Sequence, residues 1–182
     1  MSCYKRNFVD GGTFFFTVVS YQRQRILTSP AIRIALRKAI QKTQQDFPFK
    51  INAWVLLPDH IHCIWTLPNG DDDYSRRWSM IKRLTSQSCK YHLPPYYLNS
   101  SSRLKRNEST LWQRRFWEHT ITDDSDYMNH LNYIYWNPVK HGYANTVSEW
   151  SYSTFHRDVK NGLYGADWGD NFNESENTNF GE

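Results

Sequence analysis

Residues 51–66 read INAWVLLPDHIHCIWT, and this stretch decides the fold. Two apolar, β-branched and aromatic runs, Ile51 to Leu57 and His60 to Thr66, flank the turn residues Pro58-Asp59. That arrangement predicts two strands paired as a hairpin. Side chains alternate along a strand, so His60 and His62 share one face while Ile61, Cys63 and Trp65 take the other. Two imidazoles about 7 Å apart on one strand can converge on one metal ion. The pattern is short, however, and two histidines on a half-exposed strand account for it equally well.

Working outward, Gly11-Gly12 precedes Thr13 to Ser20, a β-branched and aromatic run that reads as a strand. Residues 29–46 follow with Ile32, Ala35, Leu36, Ala39 and Ile40 at helical spacing and Pro30 near the start. A basic helix is expected over 74–91, ending before Pro94-Pro95, then a polar, Ser-rich loop over 94–110. Trp112 to Ile121 contains a fourth strand, and 123–137 a helix capped by Thr122 or Asp123 and stopped by Pro138. The order β-α-β-β-α-β plus a helix predicts an α+β fold. It is a ferredoxin-like, split β-α-β antiparallel sheet with helices on one face and an added C-terminal tyrosine-bearing helix. The other face is left open for chemistry. Residues 1–164 read as one compact domain, and the acidic, Asn-rich 165–182 as a partly disordered tail.

The last helix carries the second half of the chemistry. With Leu131 at 0° and about 100° per residue, Tyr127, Met128, Ile134 and Tyr135 fall within about 60° of it and form the packed stripe. Tyr133, Asp126, Asn137 and His130 fall between about 200° and 260°, away from that stripe. For Asp126 and His130 the favoured reading is an ordinary solvated face, with Asp126 helping to cap the helix.

Charge points to a polyanion. Residues 165–182 hold five acids and no Lys or Arg, so 1–164 carry 22 basic against 13 acidic residues. Residues 74–115 alone hold ten Lys or Arg and one acid, Glu108. Such a concentration attracts nucleic acid. Three cysteines without CxxC spacing argue against a disulfide framework and a thiolate zinc site. With no apolar h-region at the start and no run near the ~20 residues a bilayer needs, the expectation is a soluble, cytoplasmic protein with no membrane contact.

Several stretches together resemble a known family. They are Tyr4-Lys5-Arg6, Gly11 to Thr17, Leu57-Pro58-Asp59-His60-Ile61-His62, Phe116 to Ile121, and Tyr133-Ile134-Tyr135-Trp136-Asn137-Pro138-Val139-Lys140-His141-Gly142. The sequence is similar to the REP-associated tyrosine transposases, relatives of the single-tyrosine HUH transposases of small bacterial insertion sequences. The resemblance covers most of residues 4–143. It implies that Tyr133 is the nucleophile and that His60, His62 and Asn137 hold a divalent metal, Mg or Mn, where insertion-sequence relatives often have Gln at the Asn137 position. It implies a single-stranded or hairpin DNA partner of REP type, cut through a 5′-phosphotyrosine, by a monomer or homodimer. Arg76, Arg77, Lys82, Arg83, Arg103, Lys105 and Arg106 are expected to track the DNA backbone, and Tyr4 and Arg6 to read the flanking tag. Two rivals remain. One is a non-catalytic nucleic-acid-binding module on a ferredoxin-like sheet, which explains the charge but not the His60, His62, Tyr133 and Asn137 set. The other is a zinc- or His-dependent phosphoesterase acting on nucleotides, which lacks a further His in register because residue 64 is Ile.

Overall fold

The computed structural model describes residues 9–90 and 111–169. The elements are β1 (Thr13–Val19), α1 (Pro30–Asp46), β2 (Lys50–Leu56), β3 (His60–Thr66), α2 (Tyr74–Cys89), β4 (Trp117–Thr120), α3 (Asp124–Lys140) and α4 (Phe155–Lys160). The sheet order is β2-β3-β1-β4 with every pairing antiparallel. β3 therefore lies between β1 and β2 and splits the first β-α-β unit. The fourth strand is shorter than the expected 112–121, because Trp112 makes only an isolated bridge to Ser20.

Alternation along β1 and β3 sorts the core into two clusters. Phe14, Phe16, Val18, Ile61, Cys63 and Trp65 pack under α1 and α2 with Leu36, Trp78 and Ile81. Phe15, Ala53, Val55 and Ile64 face the opposite way and pack with Leu131, Tyr133 and Ile134 of α3. The sheet face expected to be open is thus roofed by the tyrosine helix. That helix is buried on both sides of its circumference. His130, Tyr133 and Asn137, the group away from the stripe, lie on the sheet side, while Tyr135 packs on Phe155 and Tyr164 of the C-terminal segment. Met128, expected in the packed stripe, is 43% exposed.

Pro138 does not stop α3, which runs on to Lys140. The stop is Gly142 at φ +67, a left-handed residue past the cap. Gly142 N–H donates to Val139 O at 2.9 Å and Tyr143 N–H to Pro138 O at 2.8 Å, satisfying the last carbonyls.

The segment after α3 closes the β2 edge. Leu56 N–H donates to Tyr152 O, Thr154 N–H to Trp54 O, and Trp54 N–H to Thr154 Oγ1, each at 2.9 Å. Covering these groups removes a pairing edge that would invite another strand. Packing continues past the expected boundary at residue 164, since the Trp168 ring lies 5.0 Å from Tyr164 and 6.0 Å from Phe155. No helix among the described residues is long and apolar enough to cross a membrane.

Candidate active site

The β3 alternation places His60 and His62 on the face that α3 covers, and packing brings three of the four expected groups into ring contact. The His60 and His62 centroids are 4.7 Å apart, and the Tyr133 ring lies 5.1 Å from His62. Asn137, one helical turn after Tyr133, shares its face of α3. All four are at most 3% exposed.

Each histidine is held by its second nitrogen. His62 Nδ1 lies 2.9 Å from Thr17 Oγ1, its partner across the β1–β3 pairing. His60 Nδ1 lies 2.7 Å from Asp59 Oδ1, and Arg23 Nη1 reaches Asp59 Oδ2 at 3.3 Å. Burial would raise the Asp59 carboxyl, but the His60 hydrogen bond, with Arg23 behind, holds it below its usual value. A carboxylate on Nδ1 keeps the proton there and turns the Nε2 lone pair toward a ligand, the usual support of a metal-bound imidazole. The donor set of two oriented imidazoles and an amide therefore suits a divalent ion. Sequence reasoning missed Thr17 and Asp59. Asp59 adjoins His60 in the chain, but Thr17 is identified only by strand register.

Lys140 was also missed. Its Nζ donates to Tyr133 Oη at 3.4 Å and lies 4.8 Å from the centre of the Tyr133 ring. The spacing i, i+7 puts the two on one helix face, a signal present in the sequence. His141, half-exposed at the helix end, lies 5.2 Å from the His60 ring.

Asp126 and His130 do not lie on a solvated face. His130 is 1% exposed, and with Asp126 it joins His119 of β4. His119 Nε2 lies 2.8 Å from Asp126 Oδ2, His130 Nδ1 2.9 Å from Asp126 Oδ1, and the two imidazole planes are stacked at 4.6 Å. Donor atoms of the three lie within 4.8 Å of one another, a spacing that admits an ion. Near-parallel rings aim their in-plane lone pairs alongside each other, so the geometry favours a clamp between β4 and α3. Asp126 also accepts from Thr122 N–H at 2.9 Å, and Asp123 accepts from Asp126 N–H, so the expected capping role is present too.

Desolvation lowers the His130 pKa, outweighing the nearby Asp126. A folded value below the unfolded one, about 6.5, means that the unfolded chain takes the proton first. The stabilisation is complete above about pH 6.5 and is lost as pH falls through the lower folded value. Thermal midpoints measured from pH 7.5 down to 5 should decline, and less steeply in His130→Gln. Identical slopes for both proteins would remove His130 as the cause.

Of the expected DNA-tracking residues, Arg76 and Arg83 are exposed and Lys82 is half-buried, its Nζ donating to Gln113 O at 2.9 Å. Arg77 needs correction. It is 1% exposed, and its guanidinium binds Asp71 Oδ2 at 2.6 Å and Pro48 O at 2.7 Å, tying α2 to the loops beneath it. Tyr4, Arg6, Arg103, Lys105 and Arg106 lie outside the described residues.

Residues 12–137, from the start of β1 to Asn137, match the family described as transposase IS200 like. The chain belongs to the IS200-like transposase family. A REP-associated tyrosine transposase of Escherichia coli (strain K12) is 48% identical over 168 residues, spanning 92% of this chain and 91% of that protein. A REP-associated tyrosine transposase solved bound to a REP hairpin is 47% identical, matches 99% of each chain, and has a TM-score of 0.79. The resemblance carried by the Leu57–His62 and Tyr133–Gly142 stretches thus extends over nearly the whole chain, and the protein is an enzyme of the transposase class.

Proposed function

We propose that this transposase-family enzyme cuts and rejoins single-stranded or hairpin DNA of REP type through a covalent 5′-phosphotyrosine at Tyr133, in a divalent-metal-dependent reaction. The observation that carries the reading is the Tyr133 phenol beside His62, on a helix face shared with Asn137. A non-catalytic binding module gives no reason to bury two carboxylate- or hydroxyl-supported imidazoles against a tyrosine.

His60, His62 and Asn137 would hold the ion, Mg or Mn, which when bound draws charge from the scissile phosphate. The chain's own groups do the rest. A phenol with an ordinary pKa of about 10 is a weak nucleophile at neutral pH, and Lys140 Nζ, donating to Tyr133 Oη at 3.4 Å, orients the phenol oxygen. Packing against Phe15 and His62 fixes the ring, so attack needs little reorientation. Tyr133 Oη bonds to phosphorus as the P–O3′ bond breaks, and the phenolic proton ends on the leaving 3′ oxygen. The phosphoester is conserved, so an incoming 3′-hydroxyl reverses the step and joins strands without ATP. Lys140 and His141, the half-exposed groups here, mark the side from which the phosphate enters.

The test is a hairpin oligonucleotide incubated with Mg²⁺ or Mn²⁺, giving a protein–DNA complex that survives denaturing electrophoresis. Binding without any such complex would favour the binding-module reading. Affinity should also fall with salt, each single-strand phosphate contact contributing a log–log slope of about −0.7. Arg83→Ala should remove about one such increment. Arg77→Ala should instead lower the unfolding temperature. An unchanged slope in Arg83→Ala would take Arg83 out of the interface.

A further inference from the structure

A line of aromatic rings leads away from the site, starting at His60. His141 lies 5.2 Å from that ring, Tyr143 5.8 Å beyond His141, Trp150 5.8 Å beyond Tyr143 and Tyr152 5.5 Å beyond Trp150. These four rings are half-buried, with cations over two of them. The Arg25 guanidinium sits 5.1 Å above Tyr143 and that of Arg33 4.6 Å above Tyr152. The loop leading to Arg25 holds Gln22 and Arg23 at φ 53 and 50, a left-handed conformation that side-chained residues adopt only where the surroundings impose it. Arg23 is the residue paired with Asp59 behind His60, so this loop is anchored at the site.

At its far end the line enters a groove of about 720 Å³ between α1 and the segment 151–154. Arg33, Arg37, Lys38 and Arg157, the last paired with Asp158, line it, Trp54 and Tyr152 form part of its wall, and among the described residues no Asp or Glu lines it. Cations on a rim with flat rings below suit a chain that carries phosphates on one side and unpaired bases on the other. A duplex keeps its base faces stacked inside, and an acidic peptide would leave the succession of rings unused.

The geometry points to this ring line and the groove beyond it as the path of an unpaired DNA strand flanking the cleaved phosphate, an assignment that rests on the DNA-cleaving function proposed above. The strand leaves the His60 side of the site, passes over His141 and Tyr143 and ends among the α1 cations.

The experiment measures binding by fluorescence anisotropy, in chelator so that nothing is cut. The oligonucleotides carry one hairpin and an unpaired flank of zero to about 12 nucleotides on either side. Affinity of the unmodified protein should rise about tenfold as one of the two flanks lengthens, then level off. The Arg37→Glu/Lys38→Glu variant, altered at two exposed positions of α1, should bind the flankless hairpin like the unmodified protein and lose most of that gain. Tyr152→Leu, which keeps the packing apolar, should lose part of it. Three results would overturn the assignment: no dependence on either flank, an equal loss on flankless and long-flank DNA, or an equal gain from a base-paired flank. Adduct formation on the same oligonucleotides with metal restored separates the two claims. A flank gain lost in the variant, with no adduct on any substrate, would keep the path and discard the chemistry; normal adducts without a flank gain would do the reverse.

Discussion

Tyr133→Phe should abolish the covalent DNA adduct and lower cleavage by about 10⁴-fold or more, the scale on which losing a nucleophile acts. Fold and affinity should hardly change. The substitution removes one hydroxyl, while the ring contacts to Phe15 and His62 remain and the half-exposed Lys140 can turn to water. The other tyrosines of α3 provide the contrast. Tyr135 is fully buried and its hydroxyl donates to Asp158; burial first, and the Asp158 hydrogen bond next, push the phenol pKa far up. Tyr135→Phe should therefore cost about 1–3 kcal/mol of stability through the lost hydrogen bond to buried Asp158 Oδ2, whose other oxygen keeps Arg157 Nε at 2.8 Å, yet retain the adduct. Tyr127→Phe should retain it as well. These three variants, compared by adduct yield and thermal unfolding, separate chemistry from packing.

The second large effect is expected at the metal ligands. His60→Ala or His62→Ala should lower cleavage by about 10³-fold, comparable to removing a group that stabilises transition-state charge. A chelator should do the same to the unmodified protein while only weakening DNA binding. Thr17→Val and Asp59→Asn remove the supports of the imidazoles rather than the ligands, and should weaken metal affinity by about 10–100-fold. Restoring rate with excess Mn²⁺ in these two variants, but not in His62→Ala, would identify them as positioning residues. Two imidazoles suit Mn²⁺ better than Mg²⁺. His119→Ala is the control: metal-dependent cleavage lost there and kept in His62→Ala would assign the ion to the His119–Asp126–His130 group.

The fold was legible wherever a local period governed it. The β3 alternation put His60 and His62 on one face, and the four-residue step from Tyr133 to Asn137 put both on one side of a helix. What escaped depended on contacts between distant segments. The far side of α3 reads as polar, and only a sheet on one flank and the Phe155–Trp168 segment on the other explain why it is buried on both. Asp126 and His130 look like solvated residues until His119 arrives from β4. Arg77 belongs by spacing to the basic helix, but Asp71 and Pro48 O draw its guanidinium inward. Pro138 suggested a stop, whereas the residue with the left-handed backbone a helix end requires was Gly142. Thr17 carries no local signal at all, since its place beside His62 is a product of strand register.

The central claim is that the Tyr133 oxygen becomes bonded to DNA. The direct measurement is peptide mass spectrometry of the adduct formed with a 3′-labelled hairpin oligonucleotide in Mg²⁺ or Mn²⁺, after nuclease trimming and proteolysis. The account predicts a single modified peptide containing Tyr133, with the nucleotide attached through its 5′-phosphate. A modification mapped to another residue, or cleavage at the normal rate by Tyr133→Phe, would contradict it.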